Sequence, residues 1–236
     1  MDAAVHTPKN LQRPHTHRQP GFASWLMHRA KCALSWPTRY KNLLNAVYQT
    51  RAQTILEIGT FSGKHACKMI ETACLFHDVG DVTYYGFDLF EHLSDELLKA
   101  ELSKKPPSKE IVQATLERAG ASINLYQGYT HDTLPKFVQT HDPSDRIDFI
   151  YIDGGHSIET IESDWKYVQE LMSPNTLVIF DDYYRNEEPE MDGFGCQSII
   201  DALDPEVFET HVLKPENCFK KDWGTLNVSM ASVRLK

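Results

Sequence analysis

Two short stretches carry the acids and the imidazole from which a reaction could be built. They are Asp153-Gly154-Gly155-His156 and, 28 residues after Asp153, the pair Asp181-Asp182. Each follows an apolar run, 147–152 and 176–180, that reads as a buried strand. Strand-end loops of an open α/β sheet converge on one crevice, so three carboxylates would gather in a partly dry cleft and repel one another. A divalent cation removes that repulsion, and oxygen-only donors (Asp153, Asp181, Asp182) point to Mg²⁺ or Mn²⁺. Such an ion would hold a substrate hydroxyl and lower its pKa. His156, neutral near pH 7, could then accept the hydroxyl proton. The plainer alternative stays open, with Asp153 capping the next helix, Asp181 and Asp182 solvated, and His156 hydrogen-bonded in a glycine turn.

A second site lies nearer the N-terminus. The run at 54–58 enters Glu57-Ile58-Gly59-Thr60-Phe61-Ser62-Gly63, a turn that opens a helix at about Ser62. Glycines there let the backbone turn sharply and approach a ligand closely. The dinucleotide spacing G-x-G-x-x-G and the phosphate-loop Lys-Ser or Lys-Thr are both absent, which disfavours a dinucleotide or a nucleoside triphosphate. A carboxylate at Glu57 would repel a pyrophosphate but suits a ligand carrying an ammonium and a sulfonium. Asp88, ending the run at 83–87, can accept hydrogen bonds from both hydroxyls of a ribose. S-adenosylmethionine meets both requirements. Tyr129 and Thr130, after the run at 122–127, would pass its adenine ring, and a simple turn at Gly128 is the competing reading. Methyl transfer is an in-line displacement at carbon, so catalysis would come chiefly from positioning the hydroxyl oxygen against the sulfonium.

These loops need a scaffold that brings strand ends together. Short apolar runs at 54–58, 83–87, 122–127, 147–152 and 176–180 alternate with helical segments, the pattern of a parallel sheet covered on both faces. Ile158, Ile161, Trp165, Val168 and Met172 mark a clear helix between the fourth and fifth strands, and hence a right-handed crossover. After a helix at 196–203, strands at 206–213 and 225–235 follow without a crossover and should pair antiparallel. Leu226, Val228 and Met230 alternate, but Val233 and Leu235 fall on the other parity, so a bulge near Ala231-Ser232 is expected. Residues 94–119 form a charged insertion split by Lys104-Lys105-Pro106-Pro107 into two short helices. The whole predicts an α/β doubly wound, seven-stranded, mostly parallel sheet with an antiparallel C-terminal strand. A nicotinamide-binding fold has no reason to close this way.

With 236 residues and 41% hydrophobic content, the chain suits one compact domain. Its longest apolar runs are about five residues, far below the roughly 20 needed to span a bilayer, so no membrane partner is expected. Residues 1–20 carry no apolar secretory core and are expected to be a disordered basic arm, which makes the cytoplasm the default compartment. Residues 21–51 read as one or two helices, broken near Trp36-Pro37, that could serve as a lid. Five cysteines without C-x-x-C spacing indicate neither a disulfide framework nor a zinc knuckle. Residues 1–51 hold eight Lys and Arg against one acid, whereas 52–236 hold sixteen against thirty-two. That acidic body argues against nucleic acid as the partner.

Residues 148–184 (DFIYIDGGHSIETIESDWKYVQELMSPNTLVIFDDYY) together with ILEIGTFSG at 55–63 resemble the class I S-adenosylmethionine-dependent methyltransferases grouped as Methyltransf_24. Within that group they are similar to the metal-dependent sugar O-methyltransferases of macrolide biosynthesis. The resemblance covers roughly 52–205 and would make 52–236 the methyltransferase domain. It implies Asp153, Asp181 and Asp182 as metal ligands, His156 as the base, and Glu57, Gly59 and Asp88 along the cofactor, with Thr60, Phe61, Ser62 and Gly63 completing the turn. The resemblance does not extend to the large N-terminal domain of the macrolide enzymes. Catechol-type O-methyltransferases carry an Asp-Asn pair where this chain has Asp181-Asp182. The expected partner is a small-molecule hydroxyl acceptor: a natural product, a sugar or a phenol. A homo-oligomer is compatible with the sequence, as are a metal-independent methyltransferase and a non-catalytic S-adenosylmethionine-binding subunit.

Overall fold

The computed structural model describes residues 20–185 and 189–236. Most of the arm expected at 1–20 therefore lies outside the described residues. Two helices come first, α1 (Phe22–Ala33) and α2 (Tyr40–Thr50), separated at Trp36-Pro37 as the sequence suggested. Then follow β1 (Thr54–Ile58), α3 (Lys64–Ala73), β2 (Thr83–Asp88), α4 (Asp95–Ala100), α5 (Lys109–Glu117), β3 (Ser122–Gln127), α6 (Thr130–Thr140) and β4 (Phe149–Ile152). The chain ends with α7 (Ile158–Leu171), β5 (Leu177–Tyr184), α8 (Gln197–Asp201), β6 (Phe208–Lys221) and β7 (Gly224–Leu235).

The seven strands form one sheet in the order β3-β2-β1-β4-β5-β7-β6. β1 to β5 pair in parallel, while β7 lies antiparallel to both β5 and β6. A parallel strand covered on both faces buries every side chain, which is why β4 (Phe149, Ile150, Tyr151, Ile152) reads as an unbroken apolar run. Leu43, Val47, Met69, Ile70 and Leu116 cover one face of the sheet. Leu134, Phe137, Ile161, Trp165 and Val168 cover the other. α7 starts where Ser157 Oγ accepts the Thr160 amide, a cap worth about 1 kcal/mol. Its Ile161, Trp165 and Val168 stripe is buried as the spacing predicted. All five cysteines are free thiols. Among the described residues no helix is long and apolar enough to cross a membrane.

The strand order reverses at β1 and β4, so their carboxyl ends open the crevice in which ligands of such sheets bind. Two features of the C-terminal strands differ from the sequence reading, and both shape that crevice. β5 does not stop at Phe180 but continues through Asp181-Asp182 to Tyr184. The expected bulge at Ala231-Ser232 is absent from β7. That strand is buried on both faces from Val228 to Val233, with Met230 joining one layer and Ala231 and Val233 the other, so no parity repair is needed. The irregularities sit in its neighbours instead. One falls in β5 between Phe180 and Tyr183, the other in β6 between Leu213 and Asn217. The β5 bulge places Asp182 at φ +57°.

Candidate active site

A cavity of about 610 Å³ lies over the carboxyl ends of the strands. Its floor is the turn after β1. The Gly59 amide donates to the Phe87 carbonyl and the Asp153 amide to the Ile58 carbonyl, each at 2.8 Å, which laces the ends of β1, β2 and β4 together. Gly59 has φ +91°, and a Cβ there would stand 1.8 Å from the Asp153 carbonyl oxygen, so only glycine fits. Asp88 braces the turn from β2, accepting the Phe61 amide at 2.6 Å and the Phe90 amide at 2.7 Å.

Of the residues expected along a cofactor, Gly59, Thr60, Phe61, Ser62, Asp88, Tyr129, Thr130 and Asp153 line this cavity. Glu57 does not. Alternation in β1 puts it on the face of Ile55, behind the turn, where the Tyr84 hydroxyl donates to its carboxyl. Burial pushes its pKa up to about 8, against the Tyr84 hydrogen bond. Gly63 also stands outside, capping α3 at φ +72°; an added Cβ would meet the Leu116 side chain at 3.1 Å.

The acidic cluster forms with altered membership. One carboxylate oxygen of Asp153, one of Asp182 and a ring nitrogen of His156 lie within 4.8 Å of one another. His156 Nε2 is 2.9 Å from Asp182 Oδ2, and its Nδ1 donates to the Glu101 carbonyl at 2.5 Å. Burial opposes the charge on His156, but the Asp182 carboxylate outweighs it and pushes the imidazole up to about 10. Asp182 is held below the usual carboxylate range, its burial more than offset by His156. Burial and the charges of Asp181 and Asp182 push Asp153 well above that range. A site that holds back a proton in this way has surplus negative charge, the condition a divalent cation relieves, and the donors fit one.

Asp181 corrects the sequence reading. Neighbouring strand residues point to opposite faces, and the bulge sends Asp182 into the cluster while Asp181 turns toward α2. There Arg39 Nε donates to Asp181 Oδ1 at 2.7 Å and Nη2 to Oδ2 at 2.9 Å. The Tyr151 hydroxyl lies 3.1 Å from the same Oδ2 and 2.9 Å from Asp153 Oδ2. Both Asp181 oxygens are thus engaged away from the cluster, Oδ1 by Arg39 Nε and the Asp182 amide and Oδ2 by Arg39 Nη2 and the Tyr151 hydroxyl. Arg39 is itself fixed by its backbone N–H, which donates to Asn217 Oδ1 at 3.0 Å, and by the Tyr40 ring under its guanidinium. Removing one partner of a buried pair strands the other, so Arg39→Leu is expected to cost about 3–5 kcal/mol. Arg39→Leu with Asp181→Asn should recover more than half of that in urea unfolding; purely additive losses would contradict the pairing.

Among the cavity residues that the sequence did not single out are Arg39, Glu101 and Asp164. Arg39 and Glu101 sit in stretches where charge is common and give no local signal. Asp164 has one, an acid inside the apolar stripe of α7. It is almost wholly buried, and burial pushes its pKa up to about 7.

Comparison with known proteins identifies the family and the fold. The Methyltransf_24 family profile, described as a methyltransferase domain, matches residues 56–183. No curated protein matches the sequence. Among solved structures, the O-methyltransferase from Bacillus cereus in complex with SAH superposes with a TM-score of 0.57 at 19% identity, covering 90% of this chain and 89% of that one. TomG from Streptomyces achromogenes, an O-methyltransferase involved in tomaymycin synthesis and solved with SAM, gives 0.56 at 16%, covering 92% and 91%. An rRNA methylase from Streptococcus thermophilus gives 0.54 at 10%, covering 84% and 96%. These likenesses establish the fold, which serves acceptors of very different kinds.

Proposed function

The chain belongs to the methyltransferase domain family that its residues 56–183 match, and on that premise we propose that it is an S-adenosylmethionine-dependent O-methyltransferase using Mg²⁺ or Mn²⁺ to methylate a hydroxyl of a small molecule. The observation that carries this reading is the convergence of Asp153, His156 and Asp182 in the same cavity as the Gly59 turn. Asp88 serves the ribose with the acceptor capacity that the Phe61, Phe90 and Leu89 amides leave on its carboxylate. Tyr129 and Thr130 border the adenine, and the backbone from Gly59 to Ser62 flanks the methionine part.

Asp153 and Asp182 would hold the cation, a pair of carboxylates suited to Mg²⁺. When bound, the cation polarises the acceptor hydroxyl and lowers its pKa. With the Asp182 charge engaged, the force that holds the proton on His156 weakens. Nε2 then becomes the proton acceptor, while Nδ1 keeps its hydrogen on the Glu101 carbonyl. Arg39 offsets the charge of Asp181, so that acid does not compete for the ion. The acidic body, sixteen Lys and Arg against thirty-two acids over 52–236, and the cavity volume favour a small acceptor over RNA.

Thermal shift and methyl-transfer assays test this. S-adenosylhomocysteine at 100 times its Kd should add about 2.7 kcal/mol of stability. Transfer of labelled methyl to a series of phenols, catechols and free sugars should stop in EDTA and return with Mg²⁺ or Mn²⁺, while S-adenosylhomocysteine still binds. No stabilisation by that ligand would remove the methyltransferase reading, and full turnover in EDTA would remove the cation.

A further inference from the structure

The insertion between β2 and β3 does more than wall the cavity. Leu93, Leu97 and Leu102 line it from this side, and α4 ends at Glu101. The carbonyls at a helix C-terminus have no partner within the helix. That of Glu101 accepts His156 Nδ1–H at 2.5 Å. The carboxylate of the same residue reaches the start of α7. Oε2 accepts the Ser157 amide at 2.8 Å, and Oε1 accepts the Ser157 hydroxyl at 2.9 Å and the Thr160 hydroxyl at 2.7 Å. Burial acts against the charge of Glu101, but these donors outweigh it and hold its pKa below the usual value. Gly155 keeps the space clear, since a Cβ there would stand 2.8 Å from Glu101 Oε2 and 2.6 Å from Thr160 Cγ2.

One residue thus grips His156 together with Ser157 and Thr160, which follow it at the start of α7. We propose that Glu101 is a positioning residue: its carboxylate pins the insertion to the start of α7, and its carbonyl thereby fixes the His156 ring with Nδ1 protonated and Nε2 facing the acidic cluster. The orientation matters because the two nitrogens are distinct, and whatever holds one decides what the other can do. A ring free to flip would spend part of its time presenting an N–H where a lone pair is needed. The same contact seats Leu97 and Leu102 over the cavity, which couples closure of the acceptor side to orientation of the base. The catalytic consequence rests on the reading of His156 as the base; the contact itself does not.

The test compares wild type with Glu101→Ala, Glu101→Gln and Thr160→Val, each loaded with Mg²⁺ and S-adenosylhomocysteine. In ¹⁵N–¹H spectra the His156 Nδ1 proton should be protected from exchange in wild type and lose that protection in Glu101→Ala. Glu101→Gln, which can still bond Ser157 and Thr160, should regain it, and Thr160→Val should lose part of it. S-adenosylhomocysteine affinity should stay within about twofold throughout, as expected of a group that acts through a neighbour. On whichever phenol or sugar is methylated, Glu101→Ala should lower kcat about 10–100-fold. In a His156→Ala background the same change should cost less than about twofold, because no ring is left to orient. An unchanged Nδ1 signal in Glu101→Ala, or an equal loss of kcat in both backgrounds, overturns the proposal. If His156→Ala alone leaves kcat intact, the base reading is what fails, and the Nδ1 signal still decides whether Glu101 orients the ring.

Discussion

Asp182→Asn is expected to lower kcat/KM by roughly 10³-fold or more while leaving S-adenosylhomocysteine affinity nearly unchanged. A bound cation contributes several kcal/mol of charge stabilisation in such a site, and every 1.4 kcal/mol is tenfold in rate. Asp182 is both a candidate ligand and the partner of His156 at 2.9 Å, so its loss removes the ion and the feature that tunes the base. The rise in melting temperature that Mg²⁺ gives to wild type should vanish in the variant. Asp181→Asn provides the contrast. Its oxygens face Arg39 and Tyr151, so the Mg²⁺-dependent rise should survive there. A variant at 182 that still responds to Mg²⁺, or one at 181 that does not, would exchange the roles assigned to the two acids.

Proton release offers an independent check on the same site. Free His156 has its pKa pushed up to about 10 by Asp182, outweighing burial, so at pH 7 it is charged. A cation held by Asp153 and Asp182 would take over both carboxylates and favour release of the proton on His156 and of any that Asp153 retains. Raising the pH removes the competing proton, so apparent Mg²⁺ affinity should increase with pH between about 7 and 10 and level off above. Calorimetry in buffers of different ionisation enthalpy reports the protons released directly. Asp182→Asn should abolish the effect.

The sheet was legible in the sequence because parallel strands buried on both faces show as apolar runs, and β1 to β4 begin and end within two residues of those runs. The antiparallel ending followed from the missing crossover before β7. What escaped depended on backbone geometry or on distant pairing. Two acids after an apolar run look like a loop, yet here they continue β5, and the bulge that separates Asp181 from Asp182 needs φ +57° at an aspartate that carries no sequence mark. Arg39 finds Asp181 across 142 residues, and Glu101 finds Ser157 across 56. Glu57 sits beside the turn in sequence, but strand alternation hides it behind Tyr84. The motif therefore located the loops, while the fold decided which side chain in each loop faces the cavity.

His156→Ala carries the second large expectation: kcat should fall about 10²–10⁴-fold, the usual range for a positioned acid or base. Mg²⁺ and S-adenosylhomocysteine should still bind, because Asp153, Asp182 and the Gly59 turn are untouched. This separates the variant from Asp182→Asn, which loses the ion itself. Wild-type kcat should rise with pH as Nε2 loses its proton, and saturating Mg²⁺ should move that limb below the value of about 10 that His156 has when Asp182 is its only counter-charge. The limb should be absent in His156→Ala, where only hydroxide or buffer can take the hydroxyl proton. If the variant keeps both its rate and the limb, the hydroxyl proton leaves by another route, and Nε2 contributes charge to the cluster without accepting the proton.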